Sequence, residues 1–175
     1  MKSWISIFLL TFLCSTVFAK KKEPTENLFL ITGKVLEISL TGAEPKDCGN
    51  VQIVVYQDQE IFVAFYSDAK GGYEFNLPVG FTYEIWFGGS TYVNKKVSID
   101  TRDLPKSKGG YEVELDLGLF RPYDKVDFVP LKEPFVKVQY SDEYGTLAAD
   151  MEYTALRSKE LDKVIKKAKK SGYIK

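Results

Sequence analysis

The chain contains no histidine at all, and of its two cysteines one, Cys14, lies in the N-terminal apolar run. The first absence excludes Ser-His-Asp and Cys-His nucleophilic machinery and every histidine-ligated zinc site. It also removes the only side chain whose unperturbed charge changes between pH 5 and 8. Any catalysis would have to run on carboxylates, lysines or tyrosines. The scarcity of cysteine leaves Cys48 without an internal disulfide partner once the leader is removed, so it is read as a buried, unreactive thiol. An excess of positive charge is missing too. Lys+Arg and Asp+Glu are both 24, which argues against nucleic acid as a partner, since phosphate binding needs a clustered basic surface.

Long hydrophobic runs are limited to the start. Lys2 precedes the apolar stretch Trp4–Val17, and Val17-Phe18-Ala19 suits a signal peptidase, so residues 1–19 are read as an export signal cleaved after Ala19. The stretch is short for a membrane span, which needs about 20 apolar residues. Lys20-Lys21-Lys22 just beyond it would favour an anchor if cleavage failed. Residues 20–27 form a polar leader.

From Leu28 onward, short apolar alternations are separated by Gly, Pro, Asn and Asp, the pattern of an all-β sandwich. Seven strands are expected: 28–37, 51–57, 61–66, 73–77, 82–87, 93–99 and 111–119. The last is the clearest. Tyr111, Val113, Leu115, Leu117 and Leu119 alternate with Glu112, Glu114 and Asp116, giving one apolar and one acidic face. Gly71-Gly72 supplies the freedom for the turn after Asp68, and Pro78 ends the fourth strand. Loops 39–50 and 103–110 are long and polar. Residues 121–175 read as an extension with a short strand near 135–140 and a helix over about 148–170. That helix is amphipathic, with Leu161, Val164, Ile165 and Ala168 as its stripe, continued upstream by Leu156 and Tyr153.

The order Ile31-Thr-Gly33-Lys-Val35, then Val51-Gln-Ile53-Val-Val55, then Asp68…Gly72-Tyr73-Glu-Phe75-Asn-Leu77-Pro78-Val-Gly80 and Tyr83-Glu-Ile85 resembles the carboxypeptidase regulatory-like family. The resemblance covers residues 28–120 and implies a mainly β, seven-strand transthyretin-like (prealbumin-like) sandwich, here with a C-terminal amphipathic helix. It implies little chemistry, because such domains are usually accessory. The hydroxyisourate hydrolase on the same fold needs His and a Tyr-Arg-Gly-Ser ending, and both are missing here. A weaker likeness to exported proteins of Bacteroidetes-type bacteria rests on Val97-Ser-Ile99-Asp100-Thr101, Leu131-Lys-Glu-Pro134 and Met151-Glu-Tyr153-Thr154. It points to the periplasm or cell surface of a Gram-negative envelope.

Counting along the strands places the candidate contact residues. If Tyr83, Ile85 and Phe87 face the core, Trp86 faces out, and Tyr56 does so by the same count. Exposed aromatics on a sheet stack on sugar rings or anchor protein partners. The expected cover for them is the apolar stripe of the C-terminal helix. Asp100, Asp103, Asp142, Glu143 and Asp150 lack EF-hand spacing and read as solvated acids, and Lys166–Lys170 as a solvated helix face. The sequence thus leads to a non-catalytic binding or structural module of the cell envelope with a protein partner and no cofactor or metal. A carbohydrate-binding module using Trp86 and Tyr56 is the alternative, and a carboxylate-based hydrolase a distant third.

Overall fold

Strand β1 (Leu28–Glu37) organises one sheet of the computed structural model, which describes residues 28–107 and 110–174. The expected signal and leader, residues 1–27, lie outside these. Along one side β1 pairs antiparallel with β2 (Lys46–Asp47) and β5 (Gly72–Pro78). Along the other it pairs parallel with β8 (Tyr111–Glu114) and β9 (Leu117–Leu119). The second sheet has six strands in the order β11-β10-β7-β6-β3-β4. These are β3 (Gln52–Gln57), β4 (Glu60–Tyr66), β6 (Thr82–Gly88), β7 (Lys95–Asp100), β10 (Val136–Ser141) and β11 (Thr146–Ala149).

The chain is therefore mainly β, two sheets with one C-terminal helix. The strands total eleven among the described residues: the expected seven, one of them split in two, the short strand expected near 135–140 (β10), and two further strands, β2 and β11. Inward residues of both sheets meet in one core: Phe29, Ile31 and Val35 from β1, Ile53 and Val55 from β3, Tyr83, Ile85 and Phe87 from β6, and Val97 and Ile99 from β7. Aromatic rings bridge the sheets, Tyr73 to Phe87 at 5.2 Å and Phe29 to Tyr83 at 5.8 Å between centroids. Burying each such side chain contributes about 1.5–3 kcal/mol.

The expected seventh strand, 111–119, keeps its alternation but breaks at Leu115-Asp116. There the chain swings over Gly33. The Leu115 N–H donates to Thr32 O at 2.9 Å, the Lys34 N–H donates to the Asp116 carboxylate at 2.8 Å, and the Tyr73 hydroxyl donates to Leu115 O. Lys34 points outward and pairs with Asp47 at 2.6 Å. In the loop 39–50, Cys48 is buried and its N–H donates to Val35 O. Burial pushes its thiol pKa up, which keeps it an unreactive thiol at neutral pH.

The β4–β5 turn is held by Asp68, whose carboxylate accepts the N–H groups of Lys70 at 2.7 Å and Gly72 at 2.8 Å. These bonds hold its pKa below the usual carboxylate range. The stability they contribute is present above the unfolded-state pKa and lost as pH falls through the folded one. Asp68→Ala is therefore expected to destabilise the fold near neutral pH, with the difference from the parent closing below about pH 4. Urea unfolding at both pH values checks this; a difference that persists in acid would contradict it.

The extension builds a second core. Phe128, just before a short 3-10 turn (Val129–Leu131), and Leu131, the last residue of that turn, pack with Phe120 and with Leu161 of α1 (Met151–Lys170). Asp150 caps α1 by accepting the Tyr153 N–H at 2.8 Å. Residues 146–149 are strand β11, so the helix begins at Met151 rather than near 148. The stripe Leu161, Val164, Ile165 and Ala168 is turned inward, but Leu156 is 54% exposed and stands off it. The first turns of α1 are held instead by Tyr153, whose hydroxyl donates to Pro134 O at 2.7 Å, and by Arg157, which donates to Pro130 O.

Candidate functional site

The outer face of the six-stranded sheet carries the site. Val54 pairs with Trp86, and Tyr56 with Glu84, so these four side chains share the face opposite Val55, Ile85 and Phe87. The β3–β4 hairpin turns on Asp58-Gln59, with φ of 50° and 72°, the paired positive values of a tight two-residue connection. The β3–β4 ladder is bulged at Val55/Tyr56, and beyond the bulge Tyr56 pairs with Ile61, so the two share the outer surface.

Here a groove of about 530 Å³ is lined by Tyr56, Asp58, Thr82, Glu84, Trp86 and Ser98, among others. The rings of Tyr56 and Trp86 lie 5.3 Å apart at 47°. The indole N–H donates to Glu84 Oε1, and Lys96 Nζ sits 3.6 Å from the same oxygen and 4.3 Å from the indole centroid. Trp86 is thus fixed on three sides and half-buried, with the edge of the groove open to solvent. Tyr83, whose backbone helps line it, has its own hydroxyl donated to Pro78 O at 2.7 Å and its pKa pushed up to about 12 by burial, so it is no base near neutral pH.

The structure thus brings Tyr56 and Trp86 together, as the strand count implied. It does not supply the expected cover. The groove lining comes from β3, β6, β7 and the Asp58-Gln59 turn, whereas α1 makes its main contacts with β10 and the 3-10 turn. The reason is that β10 and β11 extend the sheet beyond β7 and carry the helix away with them. Sequence reasoning missed the free edge next to the groove. Among the described residues no strand pairs with the outer side of β4, and it exposes Ile61 (64%), Phe62 (47%) and Tyr66 (65%). The signal was present in Ile61-Phe-Val-Ala-Phe-Tyr66, a strand too apolar on both faces to be covered on one only.

Among the described residues, no three acidic or cysteine side chains gather as metal ligands. Asp100 is paired with Arg102 at 2.6 Å and Asp150 caps the helix.

No family model matches the chain, and no curated protein matches it in sequence. Similar solved structures are the TIE protein of Bacillus anthracis (17% identity, 54% of this chain and 17% of that one, TM-score 0.40) and 3-chlorocatechol 1,2-dioxygenase from Rhodococcus opacus (10%, 59% and 63%, TM-score 0.39). GBS52, the minor pilin of Streptococcus agalactiae, is another (14%, 59% and 49%, TM-score 0.39). The chain spans less than two thirds of each of the three. The likeness extends over part of a β-sandwich, and no activity is carried over from it.

Proposed function

We propose that this chain is a non-catalytic binding module of the bacterial cell envelope that docks a protein through the outer face of its six-stranded sheet. The carrying observation is the apolar strip formed where Tyr56 meets Ile61 at the edge of β4, beside the Trp86 groove. Aromatic side chains with charged neighbours, next to a strand edge that no described residue pairs with, fit a protein surface. The export signal expected from residues 1–19 and the carboxypeptidase regulatory-like resemblance support an exported accessory role. The glycan reading keeps the same residues, but a sugar ring lying flat on Trp86 must compete with Lys96 and with the tilted ring of Tyr56.

Co-purification of the tagged native protein from detergent-solubilised envelopes tests this. The expected result is a stoichiometric protein that survives high salt and is lost with Ile61→Asp. Trp86→Ala is expected to weaken it at least about thirtyfold, the effect of a central aromatic anchor. Recovery of polysaccharide alone, abolished by Trp86→Ala, would replace the protein reading with the glycan one.

A further inference from the structure

A second surface lies on the far side of the helix stripe, where α1 ends. A groove of about 400 Å³ has Val126, Val129, Val164 and Ala168 on its lining, with Lys125 and Lys167 among its polar members. Two of its apolar residues face solvent, Val129 at 54% and Tyr173 at 46% exposure. Lys125 Nζ stands 5.8 Å from the Tyr173 ring. The tail is held in place, since the Tyr173 N–H donates to Ala168 O at 2.9 Å and Ile174 is buried.

Charge surrounds this groove unevenly. Lys163, Lys166, Lys167, Lys169 and Lys170 are all exposed, and residues 163–170 contain no acid. Lys163, Lys167 and Lys170 follow one another at helical spacing along one face, and Lys167 reaches the groove. The acid at the rim, Asp127, is paired with Lys132 at 3.2 Å. Lysines in a last helical turn also favour the negative end of the helix dipole. That does not account for Lys163, one turn earlier, for Lys125 on a separate segment, or for the exposed Val129 and Tyr173.

We propose that this end of the molecule is a peripheral membrane contact, with the lysines on anionic phospholipid headgroups and Val129 and Tyr173 entering the boundary layer. Among the described residues no helix is long and apolar enough to cross a membrane; the proposed contact is one made at the bilayer surface. Basic clusters beside small apolar anchors bind bilayers in this way, and each lysine near an anionic surface strengthens binding by about a factor of five.

The test is co-sedimentation of the chain from Lys20 onward with vesicles of phosphatidylcholine alone and of phosphatidylcholine with phosphatidylglycerol, at low and high salt. Binding is expected only to the anionic vesicles, weakening as salt rises. The triple substitution Lys163→Gln, Lys167→Gln, Lys170→Gln is expected to lower it about a hundredfold with an unchanged circular dichroism spectrum. A second variant, Val129→Ser with Tyr173→Ser, leaves the charge intact and is expected to weaken binding at every salt concentration. Equal sedimentation with both vesicle types would overturn the proposal. So would absence of vesicle binding at low salt from a chain that still binds polyglutamate, which would assign the lysines to an acidic protein.

Discussion

Replacing Lys95 with methionine is expected to stabilise the fold near neutral pH by about 1–3 kcal/mol and to flatten its response to alkaline pH. Lys95 stands opposite Phe87 in the β6–β7 ladder, and so points inward. It is 5% exposed, and its ammonium faces the rings of Phe135 at 4.6 Å and Phe120 at 5.7 Å. No carboxylate among the described residues pairs with it. Desolvation pushes its pKa down from 10.5 to about 8. A shift of that size corresponds to roughly 3 kcal/mol against the charged form, and two ring faces return about 1–2 kcal/mol. The folded pKa lies below the unfolded one, so between the two the unfolded chain holds the proton and the folded chain does not. Stability from this group therefore rises with pH from about 8 to about 10 and is fully depressed below 8. Methionine keeps the stem's packing and removes the charge. Urea unfolding of both proteins near neutral pH and near pH 10 checks this, with convergence expected at the higher pH. A variant less stable than the parent near neutral pH would mean that the ammonium has a partner worth more than its desolvation.

Gly33→Ala is expected to cost roughly 3–5 kcal/mol, a large share of the ~5–15 kcal/mol that typically holds a domain folded. A Cβ at Gly33 would lie 2.1 Å from Leu115 O and 2.8 Å from the Tyr73 hydroxyl. Both atoms belong to the crossing where the chain passes from β8 to β9, and the Tyr73–Leu115 hydrogen bond is buried. Yielding there means shifting backbone, which close-packed interiors resist. Adding Tyr73→Phe should not rescue the variant, because the nearest obstacle is the carbonyl. A loss below about 1 kcal/mol in thermal or urea unfolding would show that the crossing can relax.

These two residues also show how far the sequence could be read. The period-two pattern located β1 over the observed Leu28–Glu37 and put Val113, Leu115, Leu117 and Leu119 inside, because alternation along a strand directly records which face is buried. It did not show that Leu115-Asp116 interrupts the strand, since that break depends on Gly33 and Tyr73, far away in sequence. Lys95 sits in register with Val97 and Ile99, so its inward direction was legible, but a lysine there reads as solvated until the rings that cover its stem are located. The site divided likewise. Tyr56 and Trp86 fell on one face by counting alone, whereas the path of α1 depended on β10 and β11. Thr146–Ala149, only four residues beside a helix-forming stretch, gave too short a pattern to separate from the helix.

Trp86 is the only tryptophan downstream of Trp4, so the chain from Lys20 onward offers a single-residue probe of the proposed surface. The most direct measurement is the fluorine NMR spectrum of that chain grown with 5-fluorotryptophan, recorded as solubilised envelope protein is added. A saturable shift or broadening of the one resonance, abolished by Ile61→Asp, is the predicted result. A resonance that stays unchanged while the chain is shown to be bound to its envelope partner would contradict the assignment of this face.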